Sequence, residues 1–134
     1  MARLGGPSIL LESPGGPPAW GVRTPSEETL PAADFIVRAS VADPANRAAF
    51  DAWYSREHLP DAAKSFGVQK AWRFWSATDP SVHQAMYLFA DETALERATG
   101  GEQIKRLVAD FNRDWPDITR TREVLVLAEE FGAS

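Results

Sequence analysis

The chain has 134 residues, with 14 Lys and Arg against 19 Asp and Glu, a net charge of −5 and no cysteine. This length fits one domain, and the lack of thiols excludes disulfides, thiolate metal sites and a cysteine nucleophile. The acidic balance argues against a nucleic-acid partner, and no apolar run approaches the ~18 residues of a membrane span. Because the first residues also lack the continuous apolar stretch of a signal peptide, we expect a cytoplasmic protein with no membrane partner.

Residues 1–33 form a Pro/Gly-rich arm that holds six of the ten prolines and five of the nine glycines. Proline removes backbone donors and glycine is costly to order, so this arm cannot sustain a helix or a central strand. It is either disordered or an extended segment that lies on the domain or on a neighbouring subunit. The folded domain is expected over residues 34–134.

The domain opens with a β-branched strand over residues 34–41. Asp43 and Pro44 then provide an N-cap and a first helical residue, and the 3–4 residue spacing of large side chains predicts an amphipathic helix to about His58. Pro60 disfavours helical geometry in the residue before it, so it should end or kink the helix there.

The rest of the chain completes a recognisable order of elements. We predict strands over residues 68–77, 82–90 and 121–131, and helices over residues 92–99 and 102–115 that are separated by Gly100 and Gly101. The order β-α-β-β-α-β is that of a ferredoxin-like α+β fold with a four-stranded antiparallel sheet.

The predicted strands are apolar on both faces. Residues that alternate along a strand point to opposite faces, and both sets are apolar in three strands: Trp72 and Phe74 against Ala71 and Trp75, Tyr87 and Phe89 against Met86 and Leu88, Leu125 and Leu127 against Val124 and Val126. Helices can cover only one face, and a large exposed apolar patch is unusual on a monomer. We therefore predict a homodimer in which two sheets pack face to face, unless these strands are simply rich in β-forming residues.

His58 is the first candidate for proton-transfer chemistry. Tyr54 lies one helical turn before it, Glu57 is adjacent, and Asp61 follows just beyond the predicted kink. An imidazole flanked by a phenol and carboxylates can act as a general acid or base near neutral pH. The alternative is a histidine that caps the helix end or lies on the surface.

His83, the other histidine, begins a predicted strand and shares a face with Tyr87. It is either an exposed residue at a strand end or a second polar group in a cavity. A two-histidine metal site with Asp61 or Glu57 as a third ligand is conceivable. No spacing demands such a site, so we predict no metal.

The chain is rich in tryptophan, with five in 134 residues. Indole and phenyl rings together would make a flat apolar wall for an aromatic or polyketide-like ligand, although such rings also fill cores. Glycine-rich phosphate loops and G-x-S-x-G elements are missing. The predicted ligand-binding residues are Trp53, Trp72, Phe74, Trp75, His83 and Tyr87.

The segment from Phe50 to Asp61 reads F-D-A-W-Y-S-R-E-H-L-P-D. It resembles the W-Y-x-x-E-H-L-P motif of the EthD-like proteins, which belong to the dimeric α/β-barrel superfamily. The resemblance covers about residues 34–131, and the strand order agrees with it. It implies ferredoxin-like protomers whose sheets pair into a barrel, each with a pocket between sheet and helices. His58 matches the motif histidine, Tyr54 and Trp53 match its aromatic neighbours, and His83 has no match.

The superfamily includes cofactor-independent polyketide cyclases, muconolactone-type isomerases, quinone-forming monooxygenases, haem-handling relatives and members of no known activity. The resemblance therefore implies a small cofactor-independent enzyme in which His58 moves a proton and Tyr54 or Asp61 orients the substrate or stabilises an enolate. One alternative is a non-catalytic, dimeric ligand-binding or accessory protein of a catabolic pathway. Another is haem binding, with His58 or His83 as the axial ligand.

Overall fold

The computed structural model describes residues 22–23 and 30–132 of the chain. The described residues divide into two compact units, residues 30–127 and a smaller unit that contains residues 22–23 and 128–132. Most of the predicted arm lies outside the described residues, so its two alternatives stay predictions. Among the described helices, none is long and apolar enough to cross a membrane.

The larger unit has four strands and four α-helices in the predicted order, with two helices where a single first helix was expected. In chain order the elements of both units are β1 (Val22–Arg23), β2 (Ala33–Ser40), α1 (Arg47–Trp53), α2 (Leu59–Phe66), β3 (Lys70–Trp75), β4 (Val82–Phe89), α3 (Glu92–Thr99), α4 (Glu102–Asp114), β5 (Thr119–Val126) and β6 (Glu130–Phe131). The main sheet has the strand order β3-β4-β2-β5, and every pair is antiparallel. The predicted ferredoxin-like α+β fold is confirmed.

The predicted helix start at Asp43 and Pro44 is confirmed. The Asp43 carboxylate accepts a hydrogen bond of 2.9 Å from the Ala45 N–H and so satisfies a donor that the first turn leaves free. A 3-10 turn over Pro44–Asn46 then leads into α1. This start fixes where Phe50, Trp53 and Tyr54 fall along the helix.

Of the two predicted effects of Pro60, ending or kinking the helix, the first is wrong, because helical geometry continues to Phe66. A π-helical turn over Tyr54–His58 precedes the proline, and the Leu59 N–H donates to the Tyr54 carbonyl five residues earlier. Proline lacks an N–H and its ring crowds the preceding turn, so a wider turn there relieves the conflict. Gly67 then stops α2 in the left-handed conformation, with φ 65°.

Strand β5 is shorter than predicted and lies at an edge of the sheet. Val126 pairs with Ala33, the first residue of β2, and the Leu127 N–H donates to the Ala32 carbonyl just outside that strand. Residues beyond this point have no strand of the main sheet to follow, so Glu130–Phe131 instead pairs antiparallel with Val22–Arg23 in the smaller unit.

The helix-side face of the sheet carries the core. In β4 the buried residues alternate with half-buried ones, as a strand with one covered face requires. The core cluster combines sheet residues with helix residues, among them Phe35, Tyr87, Phe50, Leu107 and Phe111. On the opposite face, Trp72, Met86 and Ile36 form one cross-strand row, so that face is apolar at its centre.

Candidate functional site

A cavity lies between the helix-side face of the sheet and helices α2 and α4. It measures about 50 Å³ and is mainly apolar. Five polar side chains reach it: Tyr54, His58, Tyr87, Arg120 and Arg122. The apolar lining consists of Phe35, Val37, Ala62, Phe66, Ile104, Leu107, Val108 and Phe111. A few polar groups in an apolar concavity is the usual composition of a small-molecule site.

The π-helical turn brings Tyr54 and His58 to this cavity together. The two ring centres are 4.9 Å apart and nearly perpendicular. Tyr54 is 1% exposed and His58 is 9% exposed, so both are inside the protein. On its outer side the His58 ring stacks on Trp53 at 4.6 Å. The predicted pairing of motif histidine and tyrosine is thus present in the structure, although their catalytic roles stay predictions.

His58 carries no charge at neutral pH. Burial lowers its pKa to about 4, and the Arg120 guanidinium lowers it further, while Asp61 and Asp110 act weakly in the opposite direction. The chain stays helical beyond His58, so no helix C-terminus is present there to favour the imidazolium. The neutral ring is able to accept a proton.

The two phenols of the cavity keep their protons. Burial raises the pKa of Tyr54 to about 12 and raises that of Tyr87 well above its usual value. The two phenols also act on each other, and this interaction lowers the pKa of Tyr54 and raises that of Tyr87. A phenol that keeps its proton can donate a hydrogen bond to a ligand oxygen.

Arg120 and Arg122 are site residues that the sequence analysis missed. They lie two positions apart on β5, opposite Ala39 and Val37 of β2, and so share the helix-side face. The Arg120 guanidinium carbon is 3.9 Å from the Phe111 ring centre, and its Nη2 donates to Asn112 Oδ1 at 2.9 Å. The available signal was strand alternation, which places Arg122 on the same face of β5 as Val124 and Val126, although Arg120 lies just before the predicted strand.

Asp61 does not line the cavity. Its carboxylate accepts hydrogen bonds from Arg106 at 2.8 and 3.0 Å and from Ser65 at 3.2 Å. The Arg106 hydrogen bond holds the pKa of Asp61 below its usual value. Asp61 and Trp53 instead border a small recess on the outer side of His58, together with Glu57, Asp110, Arg113 and Asp114.

His83 and Trp75 belong to a buried polar cluster that does not line the cavity. His83 Nε2 lies 3.2 Å from Arg73 Nη1, and because arginine only donates, this nitrogen accepts and Nδ1 carries the proton. The Arg73 guanidinium and the Trp75 indole both donate to Asp51, at 2.9 and 2.8 Å. Burial, followed by the charge of Arg73, lowers the pKa of His83 to about 4. The cluster contacts the site through the Tyr54 ring, 4.6 Å from His83.

Trp72 and Phe74 lie on the face of the sheet that points away from the cavity. They alternate with Ala71, Arg73 and Trp75, and their cross-strand partners are Met86 and Gln84. Phe74 is 46% exposed. Of the six predicted ligand-binding residues, only Tyr87 lines the cavity. Strand alternation turns Trp72 and Phe74 to the other face of the sheet. Trp75 and His83 share the helix-side face with Tyr87 but pack against Phe50, and Trp53 stacks on the outer side of His58.

The histidines are also not brought together with carboxylates as a metal site would require. Within residues 22–23 and 30–132, no three His, Asp or Glu side chains converge as metal ligands. His58 and His83 are instead packed among aromatic rings, on either side of Tyr54.

Comparison with known proteins supports the fold. No family model and no curated protein sequence matches the chain. Among solved structures, an EthD family protein from Bacillus halodurans has a TM-score of 0.57 and 17% identity, covering 70% of this chain and 96% of its own. SnoaB, a cofactor-independent oxygenase from Streptomyces nogalater, has a TM-score of 0.52 and 14% identity, covering 73% and 92%.

A protein of unknown function from Nitrosomonas europaea is similar at a TM-score of 0.56 and 20% identity, over 78% of this chain and 98% of its own. At these identities the likeness establishes the fold. The resemblance to EthD-like proteins drawn from the motif around His58 is confirmed at that level, and the reaction has to be argued from the site itself.

Proposed function

We propose that the chain is a small cofactor-independent enzyme that transfers a proton on an aromatic or polyketide-like molecule. The observation that carries this proposal is the pairing of a neutral His58 with a protonated Tyr54 in one apolar cavity. The first group can accept a proton and the second can donate a hydrogen bond, so the site holds both halves of an acid–base pair. The shared fold with a cofactor-independent oxygenase supports the same class.

In the proposed mechanism, His58 accepts a proton from an acidic C–H or O–H group of the substrate. The electron pair left behind spreads onto a conjugated oxygen, which becomes an enolate or phenolate. The Tyr54 hydroxyl donates to that oxygen, and the nearby Arg120 charge stabilises it. Returning the proton to another atom completes an isomerisation or a cyclisation, whereas an oxygenase-type reaction would add O₂ to the carbanion.

Asp61 acts in this proposal as a positioning residue. It stands outside the cavity, fixed by Arg106 and Ser65, and its charge slightly favours the imidazolium form of His58. Asp61 thus raises the pKa of His58 without contacting the substrate.

The test begins with a thermal-shift screen of aromatic acids, phenols and polyketide-like lactones, followed by turnover assays on the compounds that bind. We expect His58→Ala to lower kcat by at least about 100-fold and Tyr54→Phe to lower it less, as losses of a base and of one hydrogen-bond donor do. Trp72→Phe, on the far face of the sheet, is the matched control. Unchanged turnover in His58→Ala would refute the mechanism.

A second candidate, a ligand-binding or accessory protein without catalysis, is favoured by the size of the cavity. At about 50 Å³ it is well below the roughly 300–1,000 Å³ of common ligand pockets. This candidate predicts compounds that raise the melting temperature and are never converted. Haem binding has less support, since His58 and His83 are packed among aromatic rings rather than facing a space of porphyrin size.

We further propose that two chains associate through the outer face of the sheet, in a reducing cytoplasm suited to a cysteine-free chain. Support comes from Trp72, Met86 and Ile36 on that face and from the exposed Leu125 of β5, which pairs with Asp34 on the same face. Burying these residues against a second copy would remove an apolar patch from water.

A further inference from the structure

We infer that the cavity recognises an anionic planar ligand, the carboxylate or phenolate of an aromatic ring, through Arg120 and Arg122. This inference deepens the proposed function, on which it rests, by naming the charge of the substrate. It assigns a specificity role to two residues that the motif around His58 does not include.

The arginines of the described residues differ in whether a carboxylate pairs with them. Arg73, Arg106 and Arg113 each pair with a carboxylate, at 2.9, 2.8 and 3.0 Å. Among residues 30–132, neither Arg120 nor Arg122 forms such a pair, although both line the cavity. Their backbone positions are only about 7 Å apart along one strand face, so the two positive charges lack a counter-ion.

Arg120 is already held in place. Its guanidinium lies over the Phe111 ring and is hydrogen-bonded to Asn112, contacts that fix its orientation before any ligand arrives. A planar guanidinium presents two parallel donors to a carboxylate and also stacks on an aromatic face. Because its guanidinium is already fixed, Arg120 loses little conformational entropy when an anion binds.

The lining of the cavity indicates where the anion would sit. Tyr54, His58 and Arg120 all line the same cavity, so an oxygen held by Arg120 faces the space that the other two groups also reach. Arg122 is exposed, which puts a second cation at the solvent side of the cavity. The charged group of the ligand therefore lies between the two arginines, and its ring enters the apolar part beside Phe35 and Leu107.

An anion in this position would also help the proposed base. Burial and the Arg120 charge both lower the pKa of His58, and a negative ligand beside Arg120 would offset the second effect. Its bound charge would raise that pKa towards neutrality, where general bases are most effective. Neutral analogues of the same shape would lack this effect.

The inference is tested by calorimetric titration of the protein with 2-naphthoate and with the neutral 2-naphthamide, two ligands of nearly equal shape. We expect naphthoate to bind at least about tenfold more tightly than the amide. Arg120→Met and Arg122→Met should each weaken naphthoate at least about tenfold and leave the amide unchanged, since each removes charge-assisted hydrogen bonds. Arg38→Met is the control, because Arg38 lies on the opposite face and bonds to Gln84.

Equal binding of the two ligands, no binding of naphthoate, or wild-type naphthoate affinity in both Met variants would each overturn the inference. Arg120→Lys and Arg122→Lys cover the case in which a Met variant fails to fold, and each should restore part of the preference for the acid. His58→Ala separates the two proposals. If His58→Ala still binds naphthoate and turns substrates over at the wild-type rate, the mechanism alone is refuted. If this variant loses turnover on acidic and neutral substrates alike, and binding shows no preference for the acid, the anion site alone is refuted.

Discussion

At the scale of single residues, burial decides what each polar group can do. His58 and His83 both have pKa values of about 4, with burial as the largest cause, although one lines a cavity and the other is bonded to Arg73. The same burial keeps Tyr54 and Tyr87 protonated. An imidazole that stays neutral beside phenols that stay protonated can accept a proton without an ion pair forming first.

The two depressed histidine pKa values predict how stability depends on pH. An unfolded histidine titrates near 6.5, so between about pH 6.5 and pH 4 the unfolded chain binds more protons than the folded one. The stabilising contribution of each neutral histidine is therefore present in full above about pH 6.5. It is lost as the pH falls through this window, which lowers the free energy of unfolding by about 2 kcal/mol per histidine between pH 7 and pH 5. Urea unfolding at the two pH values measures this loss.

His58→Phe provides the check on that prediction, because phenylalanine can keep the stacking on Trp53 but cannot bind a proton. The loss of stability between pH 7 and pH 5 should shrink by about half in this variant. A loss as large as in the wild type would show that His58 does not titrate with a depressed pKa.

At the scale of elements, the decisive feature is the π-helical turn over Tyr54–His58, which carries the site. The sequence marks a disturbance there through Pro60, and helical spacing predicts that Tyr54 and His58 share a face. Whether a proline ends a helix or is accommodated by a wider turn depends on packing after it. The buried Ala62 holds α2 against the core, a contact that a local pattern does not contain.

Strand β5 is likewise predicted in part from its sequence and determined in part by its packing. Its apolar residues predict a strand, but its end is set by where β2 stops offering partners. Alternation along it places Arg122, and Arg120 just before the predicted start, on the helix-side face, which its apolar residues alone do not indicate. The prediction that Trp72 and Phe74 bind a ligand rests on aromatic composition, which does not distinguish the two faces of a sheet. Strand register does distinguish them, and it places both residues on the face away from the cavity.

At the scale of the whole molecule, the question is what covers the second face of the sheet and the edge strand. Val124, Leu125 and Val126 are each 43–45% exposed on β5, and Phe74 is exposed on β3. We predict that Leu125→Glu shifts the protein from dimer to monomer, because it puts a charge where the second sheet would pack. Light scattering coupled to size-exclusion chromatography measures the mass.

Lys105→Glu on the exposed side of α4 is the matched control and should leave the mass of the dimer unchanged. A wild-type chain that elutes with the mass of one protomer would contradict the proposed assembly. The fold of the single chain, by contrast, is predictable from the order of its elements, since several turns and helix starts are marked by local residues such as Asp43, Asp91 and Gly67.

His58 is a neutral base that faces an apolar cavity, and an NMR titration of its imidazole tests this most directly. The account predicts a pKa of about 4 for His58 in the wild-type protein. The resonance is assigned by its absence in His58→Phe, and a bound naphthoate should move the pKa upward. A pKa near the ordinary 6.5 in the free protein would contradict the account, because it would show an imidazole open to water.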